Sequence, residues 1–155
     1  MKSKKNPDPL KKSLMLLSRK MLTEKQLRDK LQKENLDWQK VEEAIEKLKV
    51  WGYLDDRKYL EEYLRSKRSA TSWGYWKIRE KLKEKGLPEE LIELLRELYP
   101  LEDEIQDAKR LLENWVTTPR GADQARLLRK LAAKGFSHEA IQEAWRRYQE
   151  DLPLP

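Results

Sequence analysis

The sequence predicts an all-α protein: a tandem repeat of three helix-turn-helix-like three-helix units, stacked as an elongated or curved solenoid. Three observations carry this reading. The 155 residues include five glycines and one phenylalanine, few β-branched residues, and abundant Leu, Glu, Lys, Arg and Ala, a composition that favours helix over strand. Although 40% of the chain is charged, Leu, Ile and Trp recur at helical spacing, which separates it from a disordered chain. The third observation is internal similarity at a period near 50 residues, too long for the 34-residue tetratricopeptide unit.

Start and stop signals place the elements in order. Asp8-Pro9 sets a capping side chain before a proline suited to a first helical turn, Thr23-Glu24-Lys25-Gln26 is a capping box, and Asp37 can cap the next run. These give helices near 9–20, 23–33 and 37–51. Gly52 then provides a left-handed stop, and Asp55 or Asp56 opens a fourth helix reaching about Arg68. The remaining helices fall near 74–85, 88–99, 102–116, 122–134 and 137–151, with Pro100 and Pro119 at boundaries, where a missing N–H does little harm.

Leu31, Leu82 and Leu131 align the three copies. Four positions earlier stand Leu27, Ile78 and Leu127, and four positions later Asn35, Gly86 and Gly135, residue types that tolerate positive φ. The match runs on through Val41, Ile92 and Ile141 to Leu48, Tyr99 and Tyr148. The second and third helices of each unit should therefore form a hairpin about a tight turn, with neighbouring units covering one another's apolar faces. The expected divisions are a basic disordered arm at 1–8, units at 9–56, 57–100 and 101–151, and a tail at 152–155.

Charge alternates with position in the repeat. The second helices carry +2 over 23–33, +3 over 74–85 and +3 over 122–134, while the third helices carry −1, −3 and −2. Residues 65–85 alone hold +6, the excess of the whole chain. If equivalent helices share one side, the molecule has a cationic flank suited to an anionic partner. The candidate contact residues are Arg65, Lys67, Arg68, Tyr75, Lys77, Arg79 and Lys81, followed by Arg126, Arg129 and Lys130. The simpler alternative is that basic second helices pair with acidic third helices across each hairpin, each exposed pair contributing about 0–1 kcal/mol. Trp73 and Trp76 are expected to fill the junction between the first two units. Base reading by a helix-turn-helix is disfavoured, because the helix that would enter the groove is net negative in every unit.

Other chemistries find no footing in the sequence. There is no cysteine, a single histidine, His138, and no glycine-rich phosphate loop, so no metal, cofactor or catalytic constellation is expected. Asp55 and Asp56 are better read as capping residues than as a catalytic pair. The longest apolar run is "LMLL" at 14–17, and "MKSKK" is not followed by a signal-peptide core, so a cytoplasmic, untargeted, monomeric protein without membrane contact is expected.

The stretches "LTEKQLRDKL" at 22–31, "GYLDDRKYLEEYLRSK" at 52–67, "GYWKIREKLKEKG" at 74–86 and "RLLRKLAAKGFSHEAIQEAW" at 126–145 resemble the RecX regulators of bacterial recombination. The resemblance covers nearly all of the chain from about residue 10. It implies tandem three-helix repeats and a non-enzymatic protein that binds in the groove of the RecA filament on DNA, restraining its ATPase, strand-exchange and coprotease activities in recombination and DNA repair. DNA contact is expected to be weak and non-specific. The stretch "ENWVTTPRGAD" at 113–123 departs from the Arg-rich connection of that family, and "RSATSWGY" at 68–75 is more aromatic than expected. The rival expectation is a DNA-backbone-binding helical module that acts without RecA, or a general helical adaptor.

Overall fold

A computed structural model describes residues 8–118 and 123–154. The N-terminal arm before Asp8 and the Pro119 boundary lie outside the described residues. Among those described there are nine α-helices and no strand: α1 Pro9–Arg19, α2 Glu24–Gln32, α3 Trp38–Val50, α4 Asp56–Ser66, α5 Tyr75–Glu84, α6 Glu89–Leu98, α7 Leu101–Trp115, α8 Gln124–Ala133 and α9 His138–Glu150. A π-helical turn, Lys67–Thr71, follows α4. The fourth helix therefore stops at Ser66 rather than near Arg68. The wider turn ends on Ser72 in the left-handed region, φ 55°.

Local chemistry starts most of these helices. Asp8, Thr23, Asp37, Asp55, Asp123 and Ser137 each accept a backbone N–H with the side chain, and Thr23 with Gln26 completes a reciprocal capping box. The aligned apolar positions then converge inward. Leu27, Ile78 and Leu127, Leu31, Leu82 and Leu131, Val41, Ile92 and Ile141, and Leu48, Tyr99 and Tyr148 are all buried. They contribute to three separate cores, one around Leu27, Leu31 and Ile45, one around Leu60, Leu82 and Tyr99, and one around Leu112, Leu131 and Trp145.

The turns between second and third helices are less alike than their sequences. Gly86 and Gly135 adopt positive φ of 86° and 91° in these turns, as Gly52 does at 81° after α3. Asn35 does not join them, because the first hairpin closes through Glu34 N–H to Leu31 O and Leu36 N–H to Glu34 O instead. Gly86 and Gly135 have a second reason to be glycine. A Cβ on Gly86 would come within 2.3 Å of the Lys25 side chain, and one on Gly135 within 2.3 Å of Lys77 Cβ and 2.6 Å of its backbone nitrogen. Each turn is thus pressed against the N-terminal end of the preceding unit's middle helix.

These contacts set α8, α5 and α2 end to end. Lys134 O accepts from Gly74 N–H and Gly135 O from Trp76 N–H, both at 2.9 Å, where α8 ends and α5 begins. Thr23 Oγ1 donates to Lys85 O at 2.6 Å, where α5 ends and α2 begins. Where α8 meets α5, C-terminal carbonyls pair with N-terminal N–H groups that a helix cannot satisfy internally, and where α5 meets α2 the carbonyl is answered by the capping hydroxyl.

The glycines give a direct test of this packing. Gly52→Ala, with nothing within 4 Å of the added Cβ, should cost about 1 kcal/mol from the left-handed backbone alone. Gly135→Ala must also displace the Lys77 backbone and should cost about 3 kcal/mol. Urea midpoints at constant m-value measure the difference.

Candidate functional site

The end-to-end order of α2, α5 and α8 places the three basic segments in one row, and the middle one carries the richest chemistry. Lys67 leaves the π-helical turn and Lys77 the first turn of α5, and each ammonium lies 4.8 Å from the centre of the Trp73 ring. Lys67 also lies 5.3 Å from the Tyr63 ring, and Lys85 reaches the same ring at 5.6 Å from the far end of α5. Burial pushes the Tyr63 phenol up to about 12, so it stays neutral beside these cations. No described carboxylate lies within ion-pair distance of Lys67, Lys77 or Lys85, and their positive charge is offset only by ring faces.

The other expected contact residues divide into groups. Arg126, Arg129 and Lys130 are exposed on α8 with no described carboxylate partner, and the Lys130 ammonium lies 4.2 Å over Trp115. Lys81 and Arg79 are partly offset, Lys81 by Glu84 at 3.4 Å and Arg79 by Glu80 at 3.7 Å. Arg65 pairs with Glu62 at 2.8 Å on the surface of α4. Tyr75 is half-buried, its ring covered by the Arg96 guanidinium at 4.1 Å. These residues are not one continuous patch. Lys67, Lys77 and Lys85 gather around Tyr63 and Trp73, while the α8 group lies farther along the row.

Arg68 faces inward. Its Nε and Nη2 donate to the two oxygens of Asp107 on α7 at 2.8 and 3.2 Å, and its guanidinium lies 4.5 Å over the Tyr99 ring. The buried Tyr99 hydroxyl donates to the same carboxylate at 2.8 Å. The ion pair raises the Arg68 pKa, and burial, reinforced by Asp107, raises that of Tyr99. Arg68 is therefore a strut between the π-helical turn after α4 and the third unit.

The aromatic stretch also sits elsewhere than expected. Gly74 is buried, and a Cβ there would meet Phe136 N at 2.4 Å, so residues 73–76 form the junction with the third unit rather than that between the first two. Trp73 packs partly buried on the second core. Trp76, expected to be buried, is 48% exposed with Arg79 at 5.3 Å over its ring, because its backbone N–H faces Gly135 and its side chain turns outward. Asp55 caps its own helix as expected, whereas Asp56 caps another, accepting Glu24 N–H at 2.8 Å. Burial raises the Asp56 pKa.

Lys85 and Lys134 were not among the candidates. Lys134 donates to Thr71 O at 2.9 Å across the second junction. Nothing local in the sequence marks them, but the equivalence of the turns that follow them could have. Among the described residues there is no His/Cys/Asp/Glu group able to hold a metal, and no helix long and apolar enough to cross a membrane.

Comparison with known proteins gives a consistent relationship. Family models described as the first and second three-helix domains of RecX match residues 10–48 and 55–94. The chain is 34% identical over 139 residues to "Regulatory protein RecX" of Thermus thermophilus, covering 90% of this chain and 91% of that protein. It is 33% identical over 130 residues to the protein of that name from Caldanaerobacter subterraneus, where it spans 83% of this chain and 64% of the relative. It spans 53% of the Halalkalibacterium halodurans relative. The crystal structure of RecX from Lactobacillus salivarius superposes with a TM-score of 0.83 at 23% identity, covering 92% of this chain and 95% of that one, a likeness of fold.

The strut predicts unequal costs within the basic set. Asp107→Ala leaves Arg68 and the Tyr99 hydroxyl without their acceptor and should destabilise by about 3 kcal/mol in urea. Arg65→Ala, which loses only an exposed pair, should fall within about 0.5 kcal/mol of the parent.

Proposed function

The chain belongs to the RecX family of regulatory proteins, and on that premise we propose that it binds the RecA nucleoprotein filament and inhibits its ATPase, strand-exchange and coprotease activities, so modulating recombination and DNA repair. The observation that carries the reading is the row of uncompensated cations: Lys67 and Lys77 over Trp73, and Arg126, Arg129 and Lys130 beyond them on α8. A long, repetitive cationic edge suits a long, repetitive anionic partner better than a compact ligand. The protein acts as a monomer in the cytoplasm, its basic helices turned toward acidic filament surface and the DNA backbone. Lys81 and Arg79 contribute by exchanging weak surface pairs for filament contacts. Arg68 contributes through the fold and Tyr75 through its support of Arg96. Regulation then needs no bond chemistry, only occupation of a surface that successive filament subunits must use or rearrange.

A second reading has one specific observation in its favour. Trp76 is half-exposed beside Arg79, an arrangement on which a single-stranded base can stack. Under that reading the protein binds nucleic-acid backbone without RecA. Binding would then fall steeply with salt on naked single-stranded DNA, and Trp76→Ala would weaken it about tenfold.

The deciding assay is RecA ATPase on single-stranded DNA. Lys67→Glu combined with Lys77→Glu should raise the concentration needed for half-inhibition by roughly tenfold or more while leaving helical circular dichroism unchanged. Undiminished inhibition removes this cluster from the mechanism, and weak naked-DNA binding beside strong filament binding dismisses the second reading.

A further inference from the structure

We infer that the third unit sets the position of the basic face of α5, and that Glu104 is the positioning residue through which it does so. The functional half of this inference rests on the reading of α5 as a contact surface, while the structural half stands apart from any partner.

The three middle helices start in different ways. α2 begins with its own capping box at Thr23, and α8 with its own cap at Asp123. α5 begins at Gly74, which has no side chain to offer. Three of its opening donors are answered from the third unit: Gly74 N–H by Lys134 O, Tyr75 N–H by Glu104 Oε2 at 3.2 Å, and Trp76 N–H by Gly135 O. Lys77, whose ammonium belongs to the Trp73 cluster, is the next residue.

Glu104 lies on α7, is fully buried, and spends both oxygens on this junction. Oε2 accepts from Tyr75 N–H and, at 2.8 Å, from Ser137 N–H, while Oε1 accepts from Ser137 Oγ at 2.7 Å and pairs with Arg96 Nη2 at 3.0 Å. One carboxylate thus ties the start of α5, the start of α9 and the side of α6. Without an acceptor at Oε2, the buried Ser137 N–H and the half-buried Tyr75 N–H lose their partner, and the turn that launches Trp76, Lys77 and Arg79 loosens. The first junction has a lighter counterpart in Asp56 on Glu24 N–H, where α2 already caps itself.

Three substitutions separate acceptor reach from charge and from volume. Glu104→Gln keeps an oxygen at the Oε2 position but loses the charge beside Arg96. Glu104→Asp keeps the charge but withdraws it by one methylene, and Glu104→Leu fills the space without accepting. The readout is amide hydrogen exchange in the full chain at Tyr75 and Trp76, referenced to Leu82 in the core of the same helix. Asp and Leu should speed the first-turn amides by about tenfold or more relative to Leu82, and Gln by less than about threefold. If Leu does not fold, the order of Asp and Gln decides alone: Gln faster than or equal to Asp, or no change in either, overturns the inference. In the RecA ATPase assay inhibitory potency should follow the same order, and an Asp variant that exchanges fast yet inhibits like the parent contradicts the positioning role. A parent chain that does not inhibit at all sinks the proposed function and leaves the exchange order to decide the structural claim.

Discussion

A helix leaves its first N–H groups and last carbonyls unpaired, and in this protein the middle helices meet part of that need where one unit joins the next. The C-terminal carbonyls of α8 face the first donors of α5, and those of α5 face the start of α2. Other features follow from this constraint. Gly86 and Gly135 must be small because the turns press on Lys25 and Lys77, and Gly74 must be small because Phe136 backbone occupies the place of its side chain. Carboxylates on the first helices, Asp56 and Glu104, reach the first N–H of the preceding middle helix at both junctions. Three cores too small to be a domain each are thereby joined into one repeat array.

The same arrangement explains how the charge is distributed. Middle helices that meet end to end bring the three basic segments into one row, while the third helices carry more acidic than basic residues. Pairing across the hairpins is real but incomplete. In the first unit Arg28 bridges to Glu42 on α3 at 2.8 Å, which lowers the Glu42 pKa. In the second unit no such bridge joins α5 to α6 among the described residues, and Lys77 and Lys85 rest on aromatic rings instead. In the third, Arg147 pairs with Glu102 and Glu143 on the acidic side, leaving the α8 cations unanswered. Positive charge therefore grows less compensated from the first unit to the third.

Much of this was legible in the sequence, because the signals were local. Caps at Asp8, Thr23, Asp37 and Asp55, stops at Gly52, Gly86 and Gly135, and the repeated Leu27/Ile78/Leu127 positions each depend on residues a few places apart. What was hidden depends on contacts between units. Arg68 reads as a surface cation until Asp107, 39 residues away, is placed against it. Trp76 reads as core until Gly135 turns its backbone, and Asp56 reads as a cap for its own helix until Glu24 arrives. Asn35 matched the turn by residue type, yet no preceding unit stands before it to press on that position in the way Lys25 presses on Gly86 and Lys77 on Gly135. The candidate site was found as a charge count, and the fold decided which charges remain available.

Membership of the RecX family gives this cationic row a partner to be tested against, and the proposed mode of binding makes a spatial demand that inhibition assays alone do not. Lysine-reactivity footprinting, with and without RecA filament assembled on single-stranded DNA, measures it directly. The account predicts protection of Lys67, Lys77, Lys81 and Lys130 along the middle-helix row, with Lys40 and Lys47 on α3 left as reactive as in the free protein. Protection concentrated on α3, or no protection of the row at a filament concentration that saturates binding, would contradict it.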